Sequence, residues 1–185
     1  MTQDINSAGT PIPGKIDISC RALTDADSSD IMRIYAQGIR TGNSTFADQV
    51  PSWEDWDKAH LKPCRIGAVA GGKLVGWAVL SPYSQRQVYR GIAELSLYVD
   101  QEMNGMGIGT KLMQDLVQTS EKAGIWTLEA RIFPENKTSI HLHEKFGFRY
   151  VGMREKIGKM PCGPFKGQWR NVTLYERRSQ LTGLD

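Results

Sequence analysis

Glu94-Leu95-Ser96-Leu97-Tyr98-Val99, running into Asn104-Gly105-Met106-Gly107-Ile108-Gly109-Thr110, is the stretch whose reading decides the fold. The first part alternates apolar and polar residues, as a strand does. A short polar turn then leads to three glycines at every second position, and a helical pattern begins directly behind them. Glycine allows backbone angles and close approaches that a Cβ forbids. Such a turn at a helix start presents bare N–H groups to an anion, with the positive end of the helix dipole behind them. The stretch therefore predicts a phosphate cradle between strand and helix. The alternative is a plain glycine-rich turn that only joins the two.

Spacing excludes two common cradles. A dinucleotide fingerprint needs Gly where this chain has Thr110, and a P-loop needs Gly where it has Asn104. What is left, Asn104-x-x-Gly107-x-Gly109, resembles the Q/R-x-x-G-x-G/A pyrophosphate loop of the GNAT superfamily of acyl-CoA N-acyltransferases. Ala93-Glu94-x-x-x-Tyr98-Val99 ahead of it narrows the resemblance to the phosphinothricin and methionine-sulfoximine acetyltransferase group. Asn104 departs from the family's Gln or Arg and leaves the loop less basic.

At 185 residues the chain suits one domain with a sizeable core. It has 23 basic and 20 acidic residues, a net charge of +3 and no long run of like charge, so nothing invites nucleic acid. Cys20, Cys64 and Cys162 match neither a metal-ligand spacing nor an even disulfide set, which points to a reducing compartment and no metal. The chain does not open on a basic segment followed by an apolar one, and no apolar run approaches membrane-spanning length. A soluble, cytoplasmic protein without a membrane partner is expected.

Residues 1–15 are polar, with glycines and two prolines, and read as a flexible tail. Ile16, Ile18 and Cys20 alternate as in a strand. Thr24 with Asp27 three residues later marks a helix start, and Ile31, Ile34, Tyr35 and Ile39 line one face until Gly42. Residues 43–48 form a small polar loop around Phe46. Ser52 and Asp55 cap a second helix carrying Trp53 and Trp56. A hairpin follows over Ile66–Ala70 and Leu74–Leu80, turned by Gly71-Gly72. Ser81 to Gly91 reads as a loop and Ile92–Val99 as a strand. Leu112, Met113, Leu116, Val117 and Ala123 recur at helical spacing, with Gly124 at the end. Ile125–Phe133 is strand-like, a short helix runs to Lys145, and Phe146-Gly147-Phe148 leads into a strand toward Met153. Lys156 to Gly167 reads as a Gly- and Pro-rich loop and Trp169–Tyr175 as the last strand. The order predicts an α/β protein: a central mixed, mostly antiparallel twisted sheet flanked by helices, one domain over 16–178, with a second tail at 179–185.

The same order resembles the GNAT fold. Pro134-x-Asn136-x-x-Ser139-Ile140-x-Leu142-His143-x-x-Phe146-Gly147-Phe148 resembles the superfamily's second CoA-binding motif, and Gly167-x-Trp169-x-Asn171-Val172 the end of the phosphinothricin group. The resemblance implies acetyl-CoA as co-substrate. The backbone of Leu97, Tyr98 and Val99 would hold the pantetheine arm. Asn104, Gly105, Met106, Gly107, Ile108, Gly109 and Thr110 would take the pyrophosphate, with Lys111 nearby. Asn136 and Ser139 would hold the pantetheine or phosphate end. It also implies a substrate pocket bordered by Phe46, and a homodimer.

An amine is mostly ammonium at neutral pH, so its nitrogen cannot attack until a proton leaves. Glu94, in an otherwise apolar strand beside the glycine loop, is the expected base, since burial would raise its pKa toward neutrality. A strand carboxylate turned to solvent is the bland alternative. His143 stands where the phosphinothricin group uses His, and its implied role is to protonate or stabilise the leaving thiolate. His141 is expected to be exposed, and His60 has no motif around it. Transfer should be direct, because no Cys lies in these motifs. Arg86 offers a fork for a carboxylate or phosphinate, and Arg86-x-x-Tyr89-x-x-x-Ala93-Glu94 matches the group's spacing. The expected reaction is acetyl transfer to a small amino acid or analogue. A peptide amino terminus, a polyamine, or a non-catalytic CoA-binding module are the alternatives.

Overall fold

The computed structural model describes residues 17–184. The expected tail at 1–15, and Ile16 of the expected first strand, lie outside the described residues.

β1 (Ile18–Ala22) pairs antiparallel with β2 (Arg65–Ala70), Ile18 opposite Ala70 and Ala22 opposite Ile66. It therefore reaches two residues beyond Cys20, where the alternation had ended it. Thr24 and Asp27 form the expected capping box at a short 3-10 turn that leads into α1 (Ser28–Thr41). Ile31, Ile34 and Ile39 bury one face of α1, and Gly42 ends it in the left-handed region at φ 61°. α2 (Trp53–Ala59) starts where the Ser52 hydroxyl accepts the Asp55 N–H at 3.1 Å. β2 turns into β3 (Lys73–Pro82) through Gly71 and Gly72, at φ 56° and 79°, which is the two-residue hairpin that positive φ at both positions permits.

β4 (Ile92–Val99), α3 (Ile108–Lys122), β5 (Thr127–Ile132), α4 (Lys137–Lys145), β6 (Arg149–Lys159) and β7 (Trp169–Arg178) complete the chain. Among the described residues the strands form one seven-stranded sheet in the order β1-β2-β3-β4-β5-β7-β6. Only β4 and β5 run parallel; every other neighbouring pair is antiparallel. The fold class is thus as expected.

Three further boundaries differ from expectation. Ser81 and Pro82, expected in a loop, end β3, and the last strand runs past Tyr175 to Arg178. Residues 156–159, also expected as loop, belong to β6, which continues through them to Lys159. The register with β7 slips between Arg154 and Gly158, where Lys156 takes φ 47°, so the strand bulges rather than ends. Past β7, the segment read as a C-terminal tail is held by Ser179, whose N–H donates to the Trp126 carbonyl at 2.8 Å and whose hydroxyl donates to Glu121 at 2.9 Å.

Strand alternation divides the core between the two faces of the sheet. Leu95, Leu128, Ala130 and Ile132 pack with Ile108, Leu112, Met113 and Leu116 of α3, and Ile140 and Leu142 of α4 lie against them. On the opposite face Ile31, Ile34, Trp56, Trp77 and Val79 join α1 and α2, and Phe133, Met160 and Val172 form a third cluster. Among the described residues no helix is long and apolar enough to cross a membrane.

Candidate active site

β4 and β5 are paired over three rungs only: Ile92 with Thr127, Ala93 with Leu128 and Glu94 with Glu129. Beyond Glu94 the strands part, while β4 stays paired with β3 up to Val99. The other edge of Leu95–Val99 therefore carries backbone donors and acceptors that meet no strand. Interior backbone groups are rarely left so. They border a cavity of about 1280 Å³, above the usual range for one small ligand. The cavity passes from one face of the sheet to the other. Leu97, Val99, Ile108, Leu142 and His143 line its α3–α4 side; Glu94, Ser96, Tyr98, Trp77 and Phe46 line the α1–α2 side.

The glycine turn closes one end. Gly105 and Gly107 lie at φ 80° and 78°, Gly107 being the residue that caps α3, and a Cβ at either would meet nothing within 4 Å. Both are needed for conformation, and both leave open space beside the first N–H groups of α3, which have no partners within the helix. Gly109 serves differently: a Cβ there would sit 3.3 Å from Leu142, so its absence lets α3 approach α4. Asn104, Ile108 and Thr110 line the cavity, whereas the Met106 side chain points out of the lining and is 44% exposed. Behind the turn, buried Asp100 accepts from Arg33, from Gln37 at 3.1 Å and from the Glu102 N–H at 3.2 Å, which fixes the turn to α1.

At α4 the Asn136 side chain accepts the Ser139 N–H at 3.1 Å and donates to the Asn43 carbonyl at 3.0 Å. Its amide is thus already engaged in capping and in tying down the loop after α1. His143 is buried, edge-on to Phe148, and its Nδ1 lies 2.7 Å from the Ser139 carbonyl. A carbonyl only accepts, so Nδ1 carries the proton and Nε2 holds a lone pair. Burial lowers the His143 pKa, and the bond to Ser139 opposes this less strongly. A neutral imidazole must gain a proton before it can protonate a thiolate.

Glu94 is half-buried. Its carboxylate lies 3.3 Å from the Arg131 guanidinium, which also bonds Glu129 at 2.9 Å. Burial raises the Glu94 pKa, Arg131 lowers it and the like charge of Glu129 raises it; burial is the larger effect and the net shift is upward. Around it, Phe46 packs edge-on against Phe133 at 4.9 Å, and the Tyr98 ring lies 4.7 Å from Trp77 and 5.1 Å from Tyr35. His60 also lines the cavity, with Nδ1 2.6 Å from the Trp56 carbonyl.

The structure brings Glu94, His143, the β4 edge, the glycine turn, Asn136, Ser139 and Phe46 to one cavity. It does not bring Arg86 or Tyr89 there. They sit on the surface loop between β3 and β4, the Arg86 guanidinium 5.7 Å above the Tyr89 ring and Tyr89 edge-on to Tyr83 at 5.7 Å. Sequence reasoning missed Arg131, Trp77, Tyr35 and His60, which reach the cavity only through strand register and helix packing. Among the described residues no group of three His, Cys, Asp or Glu side chains is arranged to hold a metal.

The family model described as the acetyltransferase (GNAT) family matches residues 30–148. A phosphinothricin N-acetyltransferase of Alcaligenes faecalis is 31% identical over 165 residues, which cover 85% of this chain and 80% of that protein. An L-methionine sulfoximine/L-methionine sulfone acetyltransferase of Pseudomonas aeruginosa is 27% identical over 166 residues, 85% of this chain and 92% of the relative. A phosphinothricin acetyltransferase from Sinorhizobium meliloti, solved with acetyl-CoA, superposes with a TM-score of 0.81 at 25% identity and 91% coverage of both chains.

Proposed function

The chain belongs to the acetyltransferase (GNAT) family, and from that premise we propose that it acetylates the amine of a small amino acid or analogue, of the phosphinothricin or methionine sulfoximine type, at the expense of acetyl-CoA. The observation that carries this reading is the parting of β4 from β5 beside Glu94. It leaves an unpaired backbone edge, a glycine turn and a half-buried carboxylate on one cavity.

Acetyl-CoA supplies an acetyl group already activated as a thioester. The free edge over Leu97, Tyr98 and Val99 suits an extended amide-bearing arm, which it would bind as a further strand is bound. The N–H groups from Gly105 to Thr110 suit a pyrophosphate, with Asn104 and Lys111 flanking them. Asn136 and Ser139 border the arm between the two; with the Asn136 amide engaged, shape is its main contribution.

Glu94 takes the proton from the ammonium. Its raised pKa narrows the gap to the amine it must deprotonate, and the Arg131 guanidinium opposes that rise. His143, neutral and with Nε2 free, would accept the second proton that the nitrogen sheds as the C–N bond forms and pass it to the CoA thiolate freed as the C–S bond breaks. Direct attack fits the lining, which contains no cysteine. The Cys20 and Cys64 thiols are pushed up to about 11, chiefly by burial, and are poor nucleophiles.

Phe46 walls the acceptor side. Arg86 and Tyr89 belong to this reading as acceptor contacts made when the loop before β4 folds over Glu94. A cytoplasmic homodimer is also part of it. The three cysteines are free thiols, and the outer strand β6 with neighbouring β7 exposes Tyr150, Val151, Met153, Ile157 and Trp169, where a second copy would pack.

CoA release measured across a panel of amines tests the proposal. Phosphinothricin and methionine sulfone should react well, polyamines and peptide amino termini poorly. Turnover confined to polyamines or peptides would overturn the acceptor class, and no turnover with any amine would overturn the activity.

A further inference from the structure

Arg170 on β7 is 4% exposed, yet it carries a full charge. Its guanidinium lies between the rings of Phe133 and Phe165, at 4.3 and 4.4 Å from their centroids. From there Nη1 donates to the Gly42 carbonyl at 3.0 Å, and Nη2 donates to Asn43 Oδ1 at 2.9 Å and Glu135 Oε2 at 2.8 Å. A buried cation with one half-wet carboxylate is weak evidence for a purely stabilising role, since an apolar residue of similar size often does as well. What Arg170 grips is informative. Gly42 and Asn43 end α1 and start the loop that delivers Ser44, Thr45 and Phe46 to the cavity.

The grip continues across the cavity. The Asn43 carbonyl accepts from Asn136, Asn136 caps α4 through the Ser139 N–H, and the Ser139 carbonyl accepts from His143. One unbroken set of hydrogen bonds therefore runs from Arg170, through the loop, to the helix that bears His143. Phe46 has little freedom once the loop is held, because it lies against Phe133 and fills the space beside Gly158, where a Cβ would come within 2.7 Å of its ring.

We propose that Arg170 is a positioning residue for the acceptor: it fastens the Gly42–Phe46 segment to the start of α4, so that the Phe46 wall and His143 keep one spacing. This rests on reading the Phe46 side of the cavity as the acceptor side.

The test uses Asn43→Ala, Arg170→Lys and their combination in the full-length protein. Asn43→Ala removes one acceptor of Arg170 and leaves the carbonyl that Asn136 uses; Arg170→Lys keeps the charge but loses the fork. Backbone hydrogen exchange over residues 43–48, without substrates, should quicken about tenfold in each variant and stay unchanged over 97–110. KM for the best amine should rise about tenfold, with kcat and acetyl-CoA affinity within twofold. The double variant should be no worse than Arg170→Lys alone, because both changes break one connection. Arg170→Met should lose more than Arg170→Lys; if it does not fold, Asn43→Ala carries the test. Unaltered exchange over 43–48 in a folded variant, or losses that multiply in the double variant, would overturn the proposal. If the wild type acetylates no amine, the assigned activity fails while the exchange measurement still decides the role of Arg170.

Discussion

The Glu94 carboxylate stands 3.3 Å from the Arg131 guanidinium at the last rung before β4 and β5 part. Two opposed effects meet on this carboxylate. Burial favours its neutral form and Arg131 its charged form, with burial the stronger. A base for an amine needs that balance: basic enough to accept the proton, ionised often enough to be ready.

Glu94→Gln keeps the shape and removes the carboxylate proposed as the base. Turnover should fall about 10²- to 10³-fold, with acetyl-CoA affinity within twofold, and the loss should shrink at high pH where free amine is plentiful. Arg131→Gln removes the influence that lowers the Glu94 pKa. The acid limb of the kcat/KM profile, which the proposal assigns to ionisation of Glu94, should therefore move to higher pH. An acid limb that stays in place in Arg131→Gln would assign it to another group.

Gly107 and Gly124 offer a matched pair at opposite ends of α3, at φ 78° and 79°, each with open space where a Cβ would be. Alanine at either should cost about 1 kcal/mol for the left-handed backbone. Only Gly107→Ala should also weaken acetyl-CoA, by tenfold or more in calorimetry, because only its Cβ would enter the space beside the free N–H groups. Valine there should be worse. Equal cofactor affinity in the two alanine variants would remove the cradle.

Asp27 bonds Arg21 at 2.6 Å and accepts the Thr24 N–H at 2.8 Å. The bond from Arg21 is the largest influence on it, burial opposes, and the pKa is held down to about 2 from 3.8. A depressed folded-state pKa gives stability that is present above about pH 4 and lost as pH falls through about 2. Denaturant unfolding should show this decline in the wild type. Asp27→Asn should be less stable by about 1–2 kcal/mol at pH 7 and decline less steeply into acid.

Where a residue's role lay in local chemistry, the sequence showed it. The capping pair Thr24 and Asp27, the Gly71-Gly72 hairpin and the Glu94–Thr110 strand, turn and helix all read correctly, because each depends on neighbours a few residues apart. The cavity itself did not read from local pattern, since it exists where β4 leaves β5, and strands distant in sequence decide that. For the same reason Arg131 was invisible as a partner of Glu94. The β6 bulge was missed because Gly158 and the residues around it look like a loop until β7 supplies a register. Spacing suggested Arg86 as an acceptor contact, but spacing says nothing of how a surface loop folds: Arg86 lies against Tyr89 outside the cavity, and under the proposal it meets an acceptor only when the loop before β4 closes over Glu94.

The measurement that bears most directly on the whole account compares acetylation of a free amino-acid analogue, phosphinothricin or methionine sulfone, with that of its methyl ester under saturating acetyl-CoA. Transfer itself needs only the amine, so any preference for the acid reports recognition of the carboxylate. Losing one charge-assisted contact is worth about 1.5–3 kcal/mol, roughly ten- to a hundredfold in kcat/KM. The account predicts a preference for the acid of that size, largely erased by Arg86→Ala with acetyl-CoA affinity retained. Equal rates on acid and ester in the wild type would contradict it.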